Sequence, residues 1–162
     1  MINKYKKNKG DNMITFNKSM AILLNDKNNK ERNIESINFL VKRIVNKTIS
    51  VNECIIYDEE NINENEIDFN RVLKLCKDKT GYEVGCNELI FDKKELQRNL
   101  YITFAENLKV ELSKRYNKMQ FIVYIIENED NVQVRFHVNR ADESNWLDEN
   151  LDFCNKPTIC VK

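Results

Sequence analysis

The chain has 162 residues, 26 basic and 26 acidic side chains, 41% hydrophobic residues, three glycines and one proline. That length suits one domain. The neutral balance lacks the basic excess of a dedicated nucleic-acid binder, and an apolar share of this size at zero net charge is not that of a disordered chain. No apolar run reaches the ~18–20 residues of a membrane span. No signal-peptide core follows the basic start. Five cysteines, odd in number and irregularly spaced, make no secreted disulfide framework. The composition therefore reads as cytoplasmic, with reduced and mostly buried thiols. Heavy use of Asn, Lys and Ile (25, 19 and 17 residues) points to AT-rich codons and a low-GC bacterial or phage genome.

Residues 1–12 carry four lysines and no amphipathic pattern, so they read as a disordered tail. Lys9-Gly10-Asp11-Asn12 is encodable as a purine-rich ribosome-binding site ahead of Met13, so the expectation is a start at Met13 with the tail a translated leader. Residues 13–162 form the single domain. Phe16, Met20, Leu23 and Leu24 share one helical face. After a polar break, Ile34, Ile37, Val41, Ile44 and Val45 mark a helix over 31–46. The segment 48–57 reads as one β-strand. An acidic loop follows, then a helix over 66–78 that stops at Gly81. A strand is expected over 81–91. Asp92 and Glu95 have capping-box spacing. Leu96, Leu100, Phe104, Leu108, Leu112 and Tyr116 then predict a long helix over 93–116. Met119–Ile126 and the alternating Val132, Val134, Phe136, Val138 form a β-hairpin. Residues 144–153 suit a short helix or turn, and Pro157 opens a last strand. The expected fold is α+β: helices on a mostly antiparallel sheet of about four or five strands, with a C-terminal β-hairpin and one long amphipathic helix.

No Walker loop, GxGxxG, HExxH, GxSxG or EF-hand spacing occurs, and no cofactor or metal is expected. One nucleophile–base pair can be drawn, Cys86 with His137, oriented by Asn139 or Asp142, which defines a thiol hydrolase as the enzymatic alternative. His137 otherwise reads as a half-exposed residue on the polar face of its strand. A second alternative is a nucleic-acid accessory role for the basic tail.

Charge segregation is the stronger feature. Residues 58–68 hold six carboxylates and no cation. Residues 127–154 hold eight carboxylates against Arg135 and Arg140. Such faces steer and hold basic partners. Within the second stretch Asp142, Glu143, Asp148 and Glu149 supply charge, Trp146 a candidate anchor, and Arg135 and His137 the neighbouring strand's polar face. The segment from Arg135-Phe-His-Val-Asn-Arg140 through Trp146-Leu-Asp-Glu-Asn-Leu151 resembles small bacterial toxin immunity factors. The expectation is a non-enzymatic protein-binding module, of immunity or antitoxin kind, that blocks a basic toxin through acidic loops. The acidic loop at 58–68 ranks second because it lacks an aromatic anchor.

Overall fold

The structure is a computed structural model and describes residues 7–9, 12–25, 34–117 and 119–162. Strands β1 (Lys7–Lys9), β2 (Asn12–Phe16), β5 (Leu89–Asp92), β6 (Phe121–Glu127), β7 (Asn131–Val138) and β8 (Thr158–Val161) form one sheet in the order β1-β2-β8-β6-β7-β5. Every neighbouring pair is antiparallel. A second, two-stranded sheet pairs β3 (Thr48–Val51) with β4 (Cys54–Tyr57). The helices are α1 (Lys18–Leu24), α2 (Ile34–Asn46), α3 (Phe69–Cys76), α4 (Lys79–Cys86) and α5 (Tyr101–Arg115). The fold is α+β.

The period-two pattern of β7 and the 3.6-residue pattern of α2 and α5 meet in one core. Val132, Val134, Phe136 and Val138 face Ile37, Val41 and Ile44 of α2 and Phe104, Leu108 and Leu112 of α5. Ile122, Tyr124 and Cys160 point to the other side of the sheet, where Leu151, Trp146 and Leu147 cover them. A third cluster lies between the β3–β4 hairpin and α3–α4, around Cys54, Ile56 and Tyr82.

Five local expectations differ from the structure. The helical face drawn from Phe16 to Leu24 is interrupted: Asn12–Phe16 is β2, paired to β8, and α1 starts at Lys18 once Asn17 caps it by accepting from the Met20 N–H at 3.0 Å. The strand expected over 48–57 is a hairpin, because Asn52 and Glu53 both take positive φ (48° and 66°) and make a two-residue turn. The strand expected over 81–91 is mostly α4. Asp78 caps this helix by accepting from the Gly81 N–H at 2.7 Å. Gly81 lies inside α4 and marks a close approach rather than a helix end: a Cβ there would stand 2.2 Å from the Cys76 carbonyl oxygen.

The long helix begins at Tyr101 instead of residue 93. The Asp92–Glu95 reciprocal bond forms, but as a turn, with the Glu95 carboxylate accepting from the Asp92 N–H at 3.1 Å. The chain bends there so that Arg98, Lys93 and Tyr101 converge on the buried Glu127 carboxylate. Arg98 is bidentate at 2.9 and 2.6 Å, and the Tyr101 hydroxyl donates at 3.1 Å. Last, the stretch read as a tail supplies β1, paired to β2 from Lys7↔Ile14 to Lys9↔Asn12. An edge strand of Lys-Asn-Lys has no apolar alternation to announce it. Residues 1–6 and 10–11, and the polar break at 26–33, lie outside the described residues.

Two side chains, Glu83 of α4 and Asn87 at its C-cap, tie the small sheet to the large one. Glu83, fully buried, accepts from the Ile55 N–H at 2.6 Å, the Val138 N–H at 3.0 Å and Arg140 Nη1 at 2.6 Å. One helical turn on, the Asn87 amide donates to the Ile55 and Phe136 carbonyls and accepts from the Tyr57 N–H. Together they fill the backbone hydrogen bonds that β4 and the end of β7 would otherwise leave unmade.

Candidate protein-binding site

The carboxyl-terminal acidic stretch is divided between the interior and the surface. Glu143 caps α4 from outside: its carboxylate accepts from the Lys79 and Thr80 N–H groups at 3.3 and 2.8 Å, 3.9 Å from Arg140. Burial pushes its carboxyl up, but these donors outweigh that and hold it below its ordinary value. Trp146 stands edge-on to Tyr124 at 5.3 Å, with the Arg135 guanidinium 5.1 Å over its ring. Arg135 also donates to the Val84 carbonyl at 2.6 Å and pairs with Glu88 at 2.7 Å.

His137 is not half-exposed: it is 1% accessible, because residues 144–154 fold back over this face of the sheet. Its ring stacks on Tyr124 at 5.7 Å, with one nitrogen 2.9 Å from the Val138 carbonyl oxygen and the other 3.4 Å from the Tyr124 hydroxyl. Burial lowers its pKa. Asp142, Asp148 and Glu149 are exposed. Of the seven residues singled out for partner contact, four are therefore engaged in packing and three remain at the surface.

Cys86 and His137 are not brought together by a hydrogen bond. Cys86, the last residue of α4, takes the Tyr82 hydroxyl on its sulfur, and burial raises its thiol above the ordinary value. Both ring nitrogens of His137 face other groups. Burial pushes Cys54 and Cys160 to about 12, leaving unreactive thiols. All five cysteines are free.

The amino-terminal acidic stretch ends up beside an open sheet edge. A groove of about 470 Å³ runs between β5 and the 58–62 loop, floored by the carboxyl-terminal end of α2. Asp58, Glu59, Glu60, Glu88 and Glu95 line it, against the single cation Arg43. Asp58 fixes the loop by accepting from the Ile62 N–H at 3.0 Å. Glu59 pairs with Lys47 at 3.2 Å in the open. Apolar side chains sit among the charges: Ile90 on β5 is 61% exposed and Ile62 across from it 40%. Such a mixture of exposed aliphatic contact and unbalanced charge suits a protein ligand better than a small molecule.

The contributions of Arg43, Glu88, Ile90 and Glu95 are not visible locally in the sequence. Glu88, Ile90 and Glu95 join the acidic loop because α4 returns the chain to the sheet, and Arg43 joins it from the end of α2. Among the described residues no group of three His, Cys, Asp or Glu side chains is placed to hold a metal ion, and no helix is long and apolar enough to cross a membrane.

Residues 15–162 match the model of the Uncharacterized protein PM0498 family, and the chain belongs to that family. No curated protein and no solved structure matches it.

Proposed function

We propose that the protein is a non-catalytic binding module, of immunity or antitoxin kind, that holds a basic protein partner at the acidic groove beside β5. The observation that carries this is the groove's lining: five carboxylates and Arg43, with Glu59 paired to Lys47 and Glu88 to Arg135 at its margin, around exposed Ile62 and Ile90. The chain as a whole is neutral, so the imbalance is local. A local field of one sign raises the encounter rate with an oppositely charged partner, while the aliphatic contacts slow its release. A cationic toxin domain, such as a nuclease whose own surface is shaped for phosphate, is the occupant this chemistry fits. The exposed Asp142, Asp148 and Glu149 lie on a different segment and form the comparison surface.

The test is association kinetics with inactive forms of cationic toxin domains encoded beside genes of this family. One of them should bind with an on-rate that falls as ionic strength rises, over the ~8–10 Å range of screening. Binding with a salt-independent on-rate, or none across the panel, contradicts the proposal.

A further inference from the structure

The two edges of the main sheet differ in chemistry. Among the described residues β1 and β5 are the outermost strands, each paired on one side only. β1 reads Lys-Asn-Lys, the charged composition that keeps an edge from pairing with other chains. β5 reads Leu-Ile-Phe-Asp, with no cation, no proline and one charge at its end. Its backbone runs along the groove, which Leu89, Ile90 and Phe91 line. Leu89 and Phe91 are buried in the core, which fixes the strand in register with β7 from Leu89↔Val134 to Asp92↔Asn131. Ile90 alternates outward. A short, rigidly held edge without a cation or proline, facing a cleft, is a ready template for strand addition.

We infer that the partner binds by adding an extended, basic segment to the β5 edge. Main-chain hydrogen bonds to β5 would supply affinity. An aliphatic side chain next to Ile90, and lysine or arginine side chains facing Glu59, Glu60 and Glu95, would supply selection. The charge lining decides the class of occupant. An acidic segment is repelled by five carboxylates, and a second copy of this chain would bring the same carboxylates face to face. Glu88 lies at the surface but is paired with Arg135 at 2.7 Å, so Glu60 and Glu95, and Glu59 once it exchanges its exposed Lys47 partner, do the selecting. This inference rests on the acidic-groove reading and specifies its geometry.

The test uses the full chain and two synthetic hexapeptides with identical side chains, Lys-Ile-Lys-Val-Lys-Ile. One has ordinary amides; in the other every internal amide nitrogen is methylated, which removes strand donors and keeps charge and apolar content. Binding is followed by fluorescence anisotropy, and amide exchange by NMR. The ordinary peptide should bind, the methylated one should bind about tenfold or more weakly, and the outward Ile90 amide, unlike that of Asp92 which Glu95 already holds, should exchange about tenfold more slowly in the complex. Ile90→Lys, at an exposed position, should weaken the ordinary peptide by a similar factor while leaving the fold intact by circular dichroism. Equal binding of the two peptides with unchanged exchange in β5, still weakened by Glu59→Lys with Glu60→Lys, overturns strand addition and leaves the groove reading standing. Failure of both peptides to bind at millimolar concentration overturns both.

Discussion

Removing the Glu83 carboxylate should be among the most damaging single changes in the chain. It is fully buried and serves three donors at once: the Ile55 N–H from the small sheet, the Val138 N–H from the large one, and Arg140, whose side chain is itself 10% exposed. Glu83→Ala takes the closest carboxylate from the nearly buried Arg140 guanidinium, which keeps the Glu53 carbonyl at 2.9 Å and the Glu143 carboxylate at 3.9 Å, and breaking such a pair from one side costs ~3–5 kcal/mol. Each orphaned N–H carries a desolvation cost of ~1–3 kcal/mol, partly the same energy seen from another atom. A loss of about 4 kcal/mol or more is expected, against a domain stability of ~5–15 kcal/mol. Glu83→Gln is the sharper variant. It keeps the shape, but its single acceptor oxygen cannot serve both sides, and its NH2 must face a donor. It should lose about 2–3 kcal/mol. Urea melts followed by circular dichroism, with unchanged slope, measure both. If Glu83→Ala stays within about 1 kcal/mol of the parent, the three donors find water when the carboxylate is gone, and the tie between the sheets is not buried as described.

Three further outcomes are expected. Phe104, buried beneath Phe91 with ring centroids 5.9 Å apart, should cost ~3–5 kcal/mol when cut to Ala in the same melts; a loss under about 1 kcal/mol would remove α5 from the core. Gly81→Ala should destabilise despite alanine's better helix propensity, because its methyl would meet the Cys76 carbonyl at 2.2 Å, and a stabilised variant would refute that close approach. The folded His137 pKa is lowered by burial, so the unfolded chain takes up this proton first as pH falls. Stability should therefore drop on acidification through the ordinary histidine range, His137→Phe should flatten that slope, and an unchanged slope would show that His137 is already solvated. Glu127 and Glu143, whose carboxyls are held below the ordinary value of 4.5, act in a separate, more acidic window and leave this test clear.

The legible parts of the fold are those whose burial follows one period. The alternating valines of β7 and the apolar stripes of α2 and α5 each meet the same core along their length. The illegible parts depend on partners distant in sequence. α4 buries Thr80, Tyr82, Glu83 and Val84 in succession, a pattern of no single face, because the hairpin, α3 and β7 all pack on it. The bend ahead of α5 follows from Glu127, nearly thirty residues later. Charge counting found both acidic stretches, but it could not tell spent carboxylates from free ones. Glu143 is consumed by amides 63 and 64 residues away, and Trp146 by Tyr124 and Arg135. The stretch ranked second became the more open one, since its aliphatic contact, Ile90, arrives from another strand.

We place recognition at the groove beside β5 and not at the 142–149 segment. The most direct measurement compares two charge reversals of equal size, Glu59→Lys with Glu60→Lys, and Asp148→Lys with Glu149→Lys, using the ordinary basic hexapeptide as ligand across a range of salt. All four positions are exposed, so both variants should fold and melt like the parent. The first reversal should weaken binding about tenfold or more and flatten its salt dependence, while the second should leave both close to the parent. Equal effects from the two reversals, or a larger effect from Asp148 and Glu149, would contradict that placement.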